Sequence, residues 1–279
     1  MTRTSNGKRR PAELETAGAQ GAEDGGAALR VELSGSVLRV TINRPGVRNA
    51  LSRATIAELK AVFDSQARNQ DLKIAILTGE GDRAFAAGGD LKDLQAVQTL
   101  DQATAMAEDA KSAFQAIRSF PVPVIAALNG DALGGGAELA VACDMRVADA
   151  HARIGFIQGR LNITTAWGGG HDLIRILGAP KALRLLSRSE MLDAKTAHSL
   201  GLIDCVAKQG ESLEAALERF CKPILDQASH VLRAFKAMAS EAKNANRNVI
   251  DRLETKHFGD AWIHDDHWAA ADRLLSKKA

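Results

Sequence analysis

Asn129-Gly130-Asp131-Ala132-Leu133-Gly134-Gly135-Gly136-Ala137-Glu138-Leu139 is the stretch whose reading decides the fold. Before it runs Val122-Pro123-Val124-Ile125-Ala126-Ala127-Leu128, a short apolar run with the character of a buried strand. After it, Glu138, Leu139 and Val141 begin a helical pattern. A strand that passes through glycines directly into a helix points to an α/β layout. Glycines at a helix start also aim backbone N–H groups at one spot, where the helix dipole adds positive potential. The anion received there is either a phosphate or a transient oxyanion. The spacing is neither GxGxxG nor GxxxxGK[ST], which disfavours a nucleotide phosphate. A tight turn with close helix–strand packing is the plain alternative.

A second arrangement of the same kind lies upstream. Ile74-Ala75-Ile76-Leu77 reads as a buried strand ending at Thr78-Gly79. The glycine loop Ala87-Gly88-Gly89-Asp90 then leads into a short helix, and a longer helix runs from about Thr99 to Arg118. Further upstream, Val31 and Leu33, then Val37, Leu38, Val40 and Ile42, alternate as two strands joined by Ser34-Gly35-Ser36. Ser52 caps a helix with Ile56, Leu59, Val62 and Phe63 on one face. Downstream, Asp144 to Ala148 is a strand. From Gly168 the chain is mostly helical, broken by a strand-like Gly201–Val206, and three helical stretches are expected from about Glu211 to the end. The expected organisation is a disordered tail over 1–28, without hydrophobic period and rich in Gly, Ala, Glu and Arg, a core over 29–210 and a helical region over 211–279.

The chain has 279 residues, 46% hydrophobic and 25% charged, ordinary for a soluble domain. A net charge of +2 gives no electrostatic case for nucleic acid as a partner. No apolar run is long enough to span a bilayer, and the start lacks a secretory signal core. The three cysteines, Cys143, Cys205 and Cys221, show no metal-ligand spacing, which suits a reducing, cytoplasmic setting. His264 and His267 sit three apart, but nothing supplies a zinc pattern, so no metal is expected. There is no tyrosine to serve as a catalyst and no GxSxG elbow.

Together these segments resemble the enoyl-CoA hydratase/isomerase (crotonase) superfamily. Phe85-Ala86-Ala87-Gly88-Gly89-Asp90-Leu91-Lys92 looks like its FxAGADLK segment, and residues 129–139 look like NGxAxGGGxEL. Arg44-Pro45 with Asn49-Ala50-Leu51 resembles RPxxxNAL, and Gly201–Val206 resembles GLVxxV, all in family order over roughly residues 29–279. The resemblance implies a crotonase-type ββα spiral with a helical C-terminal trimerisation region. It implies that Gly89 and Gly135 donate oxyanion-hole N–H groups to a thioester oxygen. Arg48, Ala50, Ala87, Asp90, Leu91 and Lys92 would lie along the coenzyme A, which enters as part of the substrate, with no tightly bound cofactor. It further implies a homotrimer or dimer of trimers, in which Trp262, Trp268, Leu274 and Leu275 would suit the buried surface between subunits.

Hydratases of this family share their proton work between two glutamates. Glu138 matches the first; on the residues alone it is equally a helix first-turn glutamate favoured by the dipole. The second lies in a GQPExxxGxxPGxGG stretch, matched here from Gly155, and an ungapped count puts Gln158 at its place. A glutamine cannot usefully take up or release a proton near neutral pH. Trp167 before Gly168-Gly169 replaces the usual residue and, with Phe156, resembles the ethylmalonyl-CoA decarboxylase branch; Glu254, Phe258, Trp262 and His267 echo that branch more loosely. Trp167 either shapes the acyl pocket or is simply a core aromatic. His171 and Asp172 are expected at a helix start, facing other residues. The favoured expectation is therefore a lyase that decarboxylates an alkylmalonyl-CoA, which needs an oxyanion hole but not two glutamates. The rivals are a hydratase or isomerase with a non-standard acid/base, and a non-catalytic acyl-CoA-binding protein.

Overall fold

The computed structural model describes residues 27–244 and 247–276. The tail expected over 1–28 falls outside these residues up to position 26. Ala27 and Ala28 are already fastened, their carbonyls accepting the side-chain and backbone N–H of Asn43 at 3.2 and 2.8 Å.

A hairpin opens the fold: β1 (Leu29–Ser34) pairs antiparallel with β2 (Val37–Ile42). Gly35, at φ +57°, supplies the backbone sign that the two-residue turn requires. Ser52 caps α1 (Arg53–Gln66), its hydroxyl accepting from Thr55 N, and Ile56, Leu59 and Phe63 are buried as the spacing predicts.

From here a unit repeats: a long strand, a short strand, then helix. β3 (Ile74–Gly79) is followed by β4 (Ala84–Ala86), α2 (Leu91–Leu94) and α3 (Leu100–Arg118). β5 (Val124–Leu128) is followed by β6 (Asp131–Leu133) and α4 (Gly135–Ala142). β7 (Met145–Ala148) is followed by β8 (Arg153–Gly155), a 3₁₀ turn at Gln158–Leu161, α5 (Gly169–Leu177) and α6 (Ala179–Arg188). Then come β9 (Met191–Asp193), α7 (Ala194–Leu200) and β10 (Cys205–Val206). The long strands build one sheet in the order β1-β2-β3-β5-β7-β10, and the short ones a second, β4-β6-β8-β9. This is the ββα spiral expected above. The four short strands were not foreseen, because three residues are too few to show a period of two.

The C-terminal part holds four helices among the described residues rather than three: α8 (Leu213–Leu225), α9 (Ser229–Asn244), α10 (Arg247–Trp262) and α11 (Asp265–Ser276). Trp262 does not face outward from them. Its ring packs on Phe258, His267 and Trp268, and its Nε1–H donates to Val97 O at 2.9 Å. It is a core residue of its own chain, with Trp268 packed partly buried against that core. Leu274 is exposed. No helix among the described residues is long and apolar enough to cross a membrane.

Candidate active site

The spiral brings the two glycine loops side by side. The first follows β4, where Leu51 N donates to Gly88 O at 2.8 Å and Asp90 N to Leu51 O at 2.9 Å. These bonds hold Gly89 in a bridge to Leu51 and leave its own N–H without a backbone acceptor among the described residues. Gly88 takes φ +111°, which a side chain would resist. The second loop follows β6, where Gly134 at φ +54° turns the chain into α4. Gly135 is the first residue of that helix, so its N–H has no intrahelical partner. A Cβ on Gly88 would lie 3.8 Å from Gly135 N, which shows how near the loops are. Gly136 has no room for a side chain, since a Cβ there would be 2.0 Å from Ala86 O.

One ring stands against both loops. A Cβ built on Gly135 would fall 2.0 Å from Trp167 Cζ3, and one on Gly89 would fall 3.4 Å from Trp167 Cη2. Trp167 is buried, set edge-on to Phe114 at 5.6 Å between centroids. Trp167 is thus a core aromatic whose ring also lies against the two glycines. Leu94 meets the same face of Gly89, where that Cβ would be 2.7 Å from its Cδ1. Behind Leu94 a small cleft is lined by Leu91, Trp262, His267 and Trp268.

Glu138, one helical turn past Gly135, is buried. Its Oε1 accepts from Gln158 Nε2 at 2.8 Å and Ala166 N at 3.3 Å; its Oε2 accepts from Trp167 N at 2.8 Å and Gly169 N at 2.9 Å. Burial, reinforced by the charge of Glu254, pushes its carboxyl up to about 7 against the pull of those N–H groups. Gln158, the residue singled out by the ungapped count, lies on the Glu138 carboxylate. Gln158 Oε1 is buried without a partner.

Glu254, on α10, was given little weight in the sequence, yet it reaches the same loop. It accepts from Thr165 Oγ1 at 2.6 Å, Gly168 N at 2.7 Å and Gly170 N at 3.2 Å, with Lys111 Nζ at 3.3 Å. Only a glycine run fits here: a Cβ on Gly169 would be 2.4 Å from Glu138 Cγ, and one on Gly170 would be 2.5 Å from Thr165 Oγ1. Asp172 faces other residues as expected, pairing with Arg118 Nε at 2.8 Å and with Arg247. Burial would raise its carboxyl, but those two guanidinium groups outweigh it and hold it below the usual range. His171 is buried beside it with neither ring nitrogen partnered, and its pKa is lowered by burial and by Arg247.

The residues assigned to coenzyme A gather along one edge. Ala87 N donates to Arg48 O at 3.1 Å, joining segment 48–51 to segment 87–92. Lys92 is exposed there, and Arg48 pairs with Asp131 at 3.0 Å while staying part-exposed. The Asp90 side chain is engaged within the protein: it caps α2 through Lys92 N at 3.2 Å and binds Arg44 at 2.8 Å. Among the described residues no group of three or more His, Cys, Asp or Glu could hold a metal ion.

The enoyl-CoA hydratase/isomerase family model matches residues 32–274. A crotonyl-CoA hydratase of Syntrophomonas wolfei is 32% identical over 85% of this chain and 90% of its own length. A short-chain-enoyl-CoA hydratase of Clostridium acetobutylicum is 30% identical over 89% and 94%. The crystal structure of an enoyl-CoA hydratase from Mycobacterium avium subsp. paratuberculosis superposes with a TM-score of 0.80 at 23% identity, covering 88% of this chain and 98% of that one, and so shares the fold.

Proposed function

Since the chain belongs to the enoyl-CoA hydratase/isomerase family, we propose that it adds water to an enoyl-CoA thioester, with Glu138 as its single acid/base. The observation that carries this reading is a buried carboxyl near pKa 7, one turn past a helix-first glycine whose N–H is free of intrahelical bonding. A group that titrates close to neutral pH can both take and return a proton there. In the proposed step Glu138 takes a proton from water as the oxygen bonds to the β-carbon. The double-bond electrons move to the thioester oxygen, held by the Gly89 and Gly135 N–H groups. Glu138 then delivers the proton to the α-carbon. Each such N–H donor typically contributes about 3–4 kcal/mol to the transition state. Gln158 suits both states of Glu138: its Nε2 donates to the carboxylate, and a turned amide offers Oε1 to the acid. The coenzyme A is proposed to run along Arg48, Ala50, Ala87, Leu91 and Lys92, with Asp90 holding that segment in shape.

A second reading is favoured by Gln158 itself. Decarboxylation of an alkylmalonyl-CoA needs no second carboxylate. The C–C bond breaks, its electron pair becomes the enolate held by the same two N–H groups, carbon dioxide leaves, and Glu138 protonates the α-carbon. One mass-spectrometric panel separates the readings. Gain of one water by crotonyl-CoA, with ethylmalonyl- and methylmalonyl-CoA left intact, is the expected result. Loss of carbon dioxide without hydration establishes the second reading. Thioester binding with neither reaction overturns both and leaves an acyl-CoA-binding protein.

A further inference from the structure

Every backbone N–H from Ala166 to Gly170 goes to one of two carboxylates, while Arg118 Nη2 holds the Trp167 carbonyl at 3.0 Å. The N–H groups of 166, 167 and 169 go to Glu138, and those of 168 and 170 go to Glu254. This loop carries Trp167, the ring that stands against Gly89 and Gly135. Glu138 and Glu254 are thus joined through a single run of peptide groups, although one lies on α4 and the other on α10.

We propose that Glu254 is a positioning residue of this site: it takes the loop N–H groups that Glu138 leaves, seats Trp167 on the two glycines, and stands as the second carboxylate that Gln158 no longer supplies. This rests on the reading of Glu138 as the acid/base. A pair of nearby carboxylates raises the proton affinity of one member. In this proposal the second member lies on the C-terminal helix α10, where it acts on Glu138 across the loop rather than on the substrate.

The charged groups packed around the loop come from three helices. Glu254 and Arg247 come from α10, Lys111 and Arg118 from α3, and Asp172 from α5, with the buried His171 beside it. Arg118 pairs with Asp172 and also donates to Trp167 O at 3.0 Å, and Arg247 pairs with Asp172 and lies 3.7 Å from Asp251. Lys111 is the cation that faces Glu254, and it is anchored by Asp251 O and Thr255 Oγ1, both at 2.6 Å. Two opposite consequences follow. Removing the charge of Glu254 must lower the midpoint of Glu138, and removing its counter-ion must raise it.

The test is the titration of Glu138 followed by ¹³C NMR of its carboxyl, alongside the pH–rate profile, in Glu254→Gln and Lys111→Met. Glu254→Gln is expected to move the midpoint down by about one pH unit, and Lys111→Met to move it up by less. A merely structural Glu254 would lower activity at every pH and leave the midpoint in place. An unmoved midpoint, or shifts of one sign in both variants, overturns the proposal. Should Glu254→Gln fail to fold, Lys111→Met decides alone. Because the NMR titration needs no substrate, a wild-type protein that turns over no thioester would defeat the hydratase reading while the Glu254 result still stood.

Discussion

The glycine loop at 87–90 and the glycine loop at 166–170 use the same chemistry to opposite ends. In the first, the amides of Ala87 and Asp90 are tied to segment 48–51, and the Gly89 N–H has no backbone acceptor among the described residues. In the second, every N–H from 166 to 170 is taken by Glu138 or Glu254. Each is a bundle of backbone donors suited to an anion. One has its anion built in; the other, in the proposed function, leaves the place to an oxygen that becomes negative only during a reaction. A glycine run therefore marks donors, and the surrounding fold decides whether their partner is resident or visiting.

The strongest challenge to this contrast is Glu138→Gln, which keeps the shape and removes the charge. Turnover is expected to fall by ~10²–10⁴-fold while thioester affinity, read by calorimetry, holds. Near-normal turnover would make Glu138 a resident clamp and nothing more. Next is Gly135→Ala, whose Cβ would collide with Trp167 Cζ3 at 2.0 Å. Displacing the proposed Gly135 donor, which lies beside the open loop, should lower kcat by roughly 10²–10³-fold. The double variant with Trp167→Ala should recover part of that loss, because it removes the ring that the new Cβ meets.

The resident anion also leaves a mark on stability. Glu138 is raised from 4.5 to about 7, so the folded protein binds the extra proton between those values. Stability should be fully present below pH 4.5 and fall as pH rises towards 7, by up to about 3 kcal/mol. Denaturant titrations at several pH values should show that slope in the wild type and a flatter one in Glu138→Gln. Asp144 and Asp172 act in a separate window. Their carboxyls are held below the usual value of 3.8 because facing cations outweigh the cost of burial, so their contribution is lost only at lower pH.

A milder probe is Gly169→Ala, which sets a Cβ 2.4 Å from Glu138 Cγ in the closed loop. A loss of about 1–3 kcal/mol is expected, with a lower Tm. The smallest effect is expected from Lys92→Ala at the exposed edge proposed to hold coenzyme A. KM should rise a few-fold, by less than about 1 kcal/mol, and the difference should shrink as salt increases. A loss as large as that of Glu138→Gln would place Lys92 in the chemistry instead.

Much of this site was legible before any coordinates. Val124–Leu128 and Ile74–Leu77 are apolar runs long enough to read as strands, and the glycines after each mark helix starts. Gln158 could be found because its offset from Gly155 is local and survives folding. Glu254 could only be echoed by its family pattern, since a lone glutamate in an amphipathic helix carries no sign of which loop it will meet. Trp262 was misread for a related reason. A large aromatic near the chain end suits a subunit interface and an internal core equally well, and only the position of Val97 O and His267 assigns it to the core.

By itself the amino-acid order determined the alternation of strands and helices, the glycine-rich helix starts and the family to which the chain is similar. These are written in short-range spacing, where backbone preference and periodicity act. Tertiary structure alone decided that Trp167 lies on both glycines, that Glu138 is buried enough to hold a proton near neutrality, and that Glu254 holds the same loop. Those properties depend on which distant surfaces exclude water together, and that follows from packing in three dimensions rather than from neighbours along the chain.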